Sequence, residues 1–188
     1  MAKLVKGDKM PNFKVDTVFG NDIIRDITFK ELVGGKKTFF WFQRYIGCPP
    51  CRLDVHLLTL AYPKFVEKDC NVVVVMQSKP EIVLRDMSDK TLPYHLVCDP
   101  SESIYKELEI GSWDPENRGE MNEKERERMN MKREIMVKEG YAHGEYEGNE
   151  QQLPAFFAVD GDLNVLYAHY ARNLGDMPLA DEVLAKIK

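Results

Sequence analysis

Cysteine is scarce in this sequence, with four among 188 residues, too few for the disulfide framework of a small secreted scaffold. Cationic residues are also short. The 26 Lys and Arg face 31 Asp and Glu, a net charge of −5, without the basic excess of a nucleic-acid binder. No apolar run approaches the roughly 20 residues that cross a bilayer. The start MAKLVKGDKMPNF has lysines but lacks the apolar stretch of a secretory leader. These absences point to a cytoplasmic protein with neither nucleic acid nor membrane among its partners. What is abundant is hydrophobic: at 44% apolar, a chain of this length buries a core and resists disorder. One domain, 1–188, is expected.

Local patterns give the order of elements. Residues 1–35 read as an N-terminal extension, with strand-like alternation at Asn12–Val15 and a turn at Phe19–Asp22. Thr28 and Glu31 form a capping box for a short helix that Gly34 and Gly35 end. Thr38–Phe42 (TFFWF) and Asn71–Met76 (NVVVVM) are continuous apolar runs suited to central strands covered on both faces. Between them, Val55, Leu58, Tyr62 and Phe65 make one apolar stripe on a helix from Cys51 to Lys68, with a kink expected at Pro63. Strand, helix, strand is a βαβ unit with parallel pairing. A further helix is expected from Ser78, boxed by Glu81, then a strand at Leu96–Cys98, then a helix capped by Asp99 and closed by Gly111. Ala155–Val159 and Asn164–Ala168, joined through Asp160-Gly161, form an antiparallel hairpin, and Leu179–Ile187 is a closing helix. The fold class is α/β: a mixed central sheet with helices on both faces.

One stretch departs from this rhythm. Residues 113–152 show no strand signal, and 14 of the 24 residues from Glu116 to Glu139 are charged. They read as an inserted helix that stops at Gly140, followed by a loop rich in Gly, Glu and Tyr. The insert precedes Pro154 directly, so it is expected to emerge near the active face as a lid or docking arm. A solvated excursion without chemistry is the competing reading.

The chemistry concentrates in Gly47-Cys48-Pro49-Pro50-Cys51, which follows the TFFWF strand and opens the helix. Two cysteines three apart at a helix start have α-carbons about 5–6 Å apart, the separation of a disulfide. The helix N-terminus favours a thiolate, the species that attacks disulfides and peroxides. Cys48 is expected to be the exposed attacker, and Cys51, one turn inside, the partly shielded resolving sulfur. Arg44, at the strand end, is the chosen cation for lowering the Cys48 pKa, ahead of Arg52 and Arg172. A zinc site needs two further ligands at suitable spacing, whereas Cys70 and Cys98 read as packed small hydrophobes. No metal, flavin or nicotinamide is required by these residues.

The sequence resembles the alkyl hydroperoxide reductase/thiol-specific antioxidant branch of the thioredoxin superfamily, the peroxiredoxin-like proteins. The resemblance rests on Gly7-Asp8-Lys9-Met10-Pro11-Asn12-Phe13, the Phe19-Gly20 turn, GCPPCR, Cys98-Asp99-Pro100 with Tyr105 and Gly111, and Leu153-Pro154-Ala155-Phe156 before the FAVDGDLNVLY hairpin. It implies a thioredoxin-like fold and a cis peptide bond before Pro154, on a loop that faces the cysteines and pairs with an incoming chain. In the P-x-x-x-T-x-x-C pattern of typical peroxiredoxins, Trp41 and Tyr45 stand where Pro and Thr are usual. A related group of disulfide reductases carries an acid three residues after the second cysteine. Asp54 lies there, as a proton acceptor for Cys51 or as an ordinary solvated first-turn acid. The expected activity is thiol-dependent oxidoreduction of a peroxide or disulfide, with a thioredoxin-type protein as reductant. A protein-disulfide reductase and a non-catalytic redox-sensing binding module are the alternatives, and a homodimer is an open assembly.

Overall fold

The computed structural model describes residues 3–88, 91–116 and 119–186. Its strands are β1 (Lys14–Gly20), β2 (Asp22–Thr28), β3 (Lys37–Phe42), β4 (Cys70–Met76), β5 (Leu92–Cys98), β6 (Ala155–Val159) and β7 (Val165–Tyr170). The helices are α1 (Phe29–Val33), α2 (Pro49–Glu67), α3 (Pro80–Asp86), α4 (Ser103–Glu107), α5 (Glu123–Lys138) and α6 (Ala180–Leu184). One seven-stranded sheet runs β2-β1-β5-β4-β3-β6-β7. The βαβ unit is present: β3 and β4 are parallel around α2, while β6 pairs antiparallel with β3 and with β7.

The apolar runs lie at the centre because both faces of β3 and β4 are covered. Phe39, Trp41, Val72 and Val74 pack with Val55, Leu58 and Phe65 of α2 on one face. Phe40, Phe42, Val73 and Val75 pack with Phe29, Ile104 and Tyr105 on the other. Alternation with period two thus feeds two cores from one continuous run.

Several boundaries differ from the sequence reading for identifiable reasons. Within residues 3–35, the N-terminal extension supplies two strands of the sheet, with β1 between β2 and β5. The Thr28–Glu31 capping box forms, and Gly34 ends α1 in the left-handed conformation. The box expected at Ser78 does not form. Lys79 is the N-cap of α3, while the Ser78 hydroxyl accepts the Ile46 N–H at 2.8 Å and Glu81 pairs with Arg25. Asp99 serves α4 from three residues before its N-cap, accepting the N–H groups of Ser103 and Ile104. Helix α2 continues through Pro63 as far as Glu67. Helix α6 ends at Leu184, and Ile187 lies outside the described residues.

The charged insert is anchored. Arg128 and Lys124 of α5 both pair with Glu182 of α6, Arg128 at 2.6 Å. Arg172 joins Glu125 at 2.6 Å, and Asn173 donates to the same buried carboxylate. Burial opposes ionisation of Glu182, but the Arg128 and Lys124 bonds outweigh it and hold its pKa at about 2. Its folded pKa lies below the unfolded value, so its contribution exists above the unfolded value and disappears as pH falls through about 2. Glu182→Gln is therefore expected to cost about 1–2 kcal/mol at pH 7, after allowance for solvent screening. The gap from the unmodified protein closes as pH falls from 4.5 toward 2. Urea titrations of both proteins across that range check it.

Candidate active site

The loop from Gln43 to Gly47 carries the chain from β3 into α2, and backbone bonds fix it to the end of β4. Gln43 N–H donates to the Val75 carbonyl at 2.9 Å, and Gln77 N–H donates to the Arg44 carbonyl at 2.8 Å. Cys48 is the N-cap of α2, and Pro49 and Pro50 occupy the first turn, where a missing N–H costs nothing. Cys48, Cys51, Cys70 and Cys98 are all free thiols.

Arg44 reaches the motif directly. Its Nη2 donates to Cys48 Sγ at 3.0 Å, and its Nη1 donates to the Glu150 carbonyl at 2.9 Å. Burial opposes its charge, yet the two cysteine sulfurs hold it more firmly protonated than usual. Arg52 donates to the Ala142 carbonyl and Arg172 is engaged with Glu125 and Asp176, so neither takes the place of Arg44.

The two thiols titrate as a pair. Burial pushes the Cys51 thiol up, but the hydrogen bond from Cys48 and the Arg44 charge outweigh it and bring the first ionisation to about 6. Burial and the neighbouring Cys51 charge drive the Cys48 thiol far above the ordinary range. One proton is thus shared between two sulfurs, with Arg44 balancing the single negative charge. Cys70 and Cys98 stand apart at strand ends. Burial pushes both thiols up, which suits inert packing.

One expectation fails outright. Cys48 is not exposed: it is 1% accessible, and Cys51 is 4%. The cause is the loop after α5, which folds over the motif. Gly144 N–H donates to the Gly47 carbonyl at 2.8 Å, Asn149 N–H donates to Gln77 Oε1 at 2.6 Å, and Lys79 N–H donates to Glu147 Oε1 at 2.9 Å. Tyr45, at the position where Thr is usual, meets His143 of this loop, hydroxyl to Nε2 at 3.2 Å. His143 in turn stacks on Tyr146. The backbones approach so closely that a Cβ on Gly47 would lie 2.2 Å from the Glu145 carbonyl oxygen.

Pro154 also departs from expectation. No cis peptide bond occurs among the described residues, so the bond before it is trans. The flanking backbone is already paired: the Pro154 carbonyl accepts Ala171 N–H, and Leu153 N–H donates to the Gly111 carbonyl. Gln152 locks the loop further through the Ile110, Gly111 and Leu153 carbonyls. Nothing there is free to pair with an incoming chain. Pro154 instead lines a cavity beside Cys51 and Arg44. Asp54 is only partly solvated, with 21% of its side chain exposed. Its carboxylate meets Lys132 at 2.6 Å and accepts from Gln43 at 3.3 Å.

Sequence reasoning missed Lys132 and His143, both supplied by the insert. Lys132 is one charge among many on α5 and gave no signal. For the loop, the signal was Gly144 and Gly148, since a Cβ at either would collide with Gly47 or Gln77.

The AhpC/TSA family model matches residues 6–168. No curated protein matches. The chain is similar to the reduced 2-Cys peroxiredoxin of Plasmodium vivax, at TM-score 0.69 and 16% identity, covering 98% of this chain and 80% of that one. AhpC of Enterococcus faecalis gives TM-score 0.69 at 14% identity, with 99% and 91% covered. Peroxidoxin BcpB of Mycobacterium tuberculosis gives 0.65 at 13%, with 98% and 96% covered. At these identities the solved structures establish the shared fold.

Proposed function

This chain belongs to the AhpC/TSA family and is a thiol-dependent peroxidase by that membership, and from this premise we propose that Cys48 attacks the peroxide and Cys51 resolves the product. The observation that carries this reading is Arg44 Nη2 at 3.0 Å from Cys48 Sγ at a helix mouth sealed from large molecules. A small oxidant passes such a seal far more easily than a folded protein does. The engaged backbone around Pro154 weighs the same way, because a protein disulfide has no strand to dock on.

Chemically, the shared proton moves to Cys51 as the Cys48 thiolate attacks. A sulfur lone pair forms the S–O bond, the O–O bond breaks, and the leaving alkoxide or hydroxide takes a proton from solvent. Cys48 becomes a sulfenic acid beside a Cys51 thiol. Cys51 then attacks the Cys48 sulfur, giving the intramolecular disulfide. Arg44 holds the anionic charge throughout, Pro154 walls the pocket behind Cys51, and Asp54 receives the Cys51 proton. A thioredoxin-type protein, reaching the disulfide after the lid opens, is the proposed reductant. A reducing cytoplasm suits four free thiols. The β7 end of the sheet is the proposed place for a homodimer contact.

The test is stopped-flow oxidation by hydrogen peroxide across pH. The reactive pair is anionic above about 6, so the rate is expected to be flat above that value and to fall about tenfold per pH below it. Arg44→Met removes a charge-assisted bond worth about 1.5–3 kcal/mol and moves the midpoint up by about one to two pH. A profile unaffected by this substitution overturns the role of Arg44.

A further inference from the structure

The insert does more than cover the motif. Lys132 lies on the most polar helix of the chain, yet its side chain is only 7% exposed, and its Nζ meets both oxygens of Asp54, at 2.6 and 2.8 Å. Burying an ammonium is costly unless its partner is well held, and here Gln43 also donates to the carboxylate, at 3.3 Å. This ion pair divides two small cavities. One, of about 30 Å³, is bounded by Cys51, Arg44, Pro154 and the pair itself. The second, of about 40 Å³, is bounded by the pair, Trp41 and Met177. Met177 and Pro178 also wall an open surface groove of about 650 Å³. Each small cavity has room for about one water with polar partners.

We propose that Lys132 is a positioning residue that holds Asp54 as the proton acceptor for Cys51, so that the proton of the resolving step leaves on the side of the site away from the lid. The proposal rests on Cys51 being the resolving sulfur. After peroxide attack, Cys51 carries a proton it must lose. The proton passes through one water in the smaller cavity to the Asp54 carboxylate. The Cys51 thiolate attacks the Cys48 sulfur, the S–S bond forms and the S–O bond breaks. The departing hydroxide takes a proton from solvent and leaves as water, and Asp54 releases its own proton through the second cavity toward the groove. Cys51 sulfur is oxidised and Cys48 sulfur reduced, with no other reactant. Among the described residues, the titratable or charged groups facing this carboxylate are Cys51 on its own helix, Arg44 after β3, Lys132 on α5 and Tyr94 on β5.

The experiment is a single turnover of the full chain with hydrogen peroxide, following sulfenic acid by trapping with a cyclic dione, for Lys132→Met, Lys132→Arg and Asp54→Asn. Resolution is expected to slow about 10²-fold in Lys132→Met and Asp54→Asn, and to gain a tenfold rise per pH as hydroxide replaces the lost acceptor. Lys132→Arg, which keeps the charge, restores both the rate and the flat profile. Asp54→Asn preserves shape and keeps the test decisive should Lys132→Met fold poorly. Resolution rates and pH profiles unchanged in Asp54→Asn, or no recovery in a folded Lys132→Arg, overturn the proposal. Failure of the underlying reading looks different: sulfenic acid then persists in the unmodified protein.

Discussion

Cys48→Ser is expected to abolish peroxide reduction, whereas Cys51→Ser is expected to permit one oxidation and then stall. The first follows from the nucleophile: a serine hydroxyl is un-ionised at neutral pH, and Arg44 at 3.0 Å has no anion to stabilise. A loss on the order of 10³-fold or more follows. In Cys51→Ser the base that shares the Cys48 proton is gone, but the Arg44 contact remains. Losing one hydrogen bond of about 1 kcal/mol slows the first oxidation by less than about tenfold. The product is a lasting sulfenic acid, because neither remaining thiol belongs to this site: Cys70 and Cys98 are buried at the ends of other strands. Mass spectrometry after one equivalent of peroxide separates the variants. A Cys51→Ser protein that cycles normally would sink the two-sulfur mechanism.

Gly47→Ala is expected to unseal the site. The backbone at Gly47 is not in the left-handed region, so alanine brings no strain of its own. The added Cβ would nevertheless sit 2.2 Å from the Glu145 carbonyl oxygen and 2.9 Å from its nitrogen, both backbone atoms that cannot swing aside. The loop must lift. With it go the Gly144–Gly47 bond at 2.8 Å and the Arg52–Ala142 bond at 2.7 Å. Two bonds of about 1 kcal/mol each correspond to roughly a 30-fold larger open population. Labelling of Cys48 by a bulky maleimide should accelerate by about that factor, while oxidation by hydrogen peroxide changes far less. Equal labelling rates before and after the substitution would show that the loop is not the barrier.

The TFFWF and NVVVVM runs, the capping box at Thr28 and the Asp160-Gly161 hairpin are local signals, and each appears where its pattern places it. Strand β2 was hidden because DIIRDIT alternates poorly, and it holds its place by pairing with β1. The capping box at Ser78 failed because a distant N–H, that of Ile46, competes for its hydroxyl. The cysteine pair and Arg44 were legible because all three lie within eight residues of one strand–helix junction. Lys132 and His143 were not, since neither has any sequence feature that separates it from its charged or polar neighbours.

The sequence alone therefore determined that two sulfurs meet at a helix mouth, since a spacing of three in a first turn sets their α-carbons about 5–6 Å apart. It also set the parallel unit that presents them, through apolar runs only a doubly covered strand can bury. Tertiary structure alone decided that these sulfurs are shut away and that a lysine 78 residues from Asp54 becomes its partner. Access and electrostatic environment depend on which distant segment comes to rest overhead. That is settled by backbone fit at Gly47 and Gly144 and by ion pairs that anchor α5, none of which a local pattern contains.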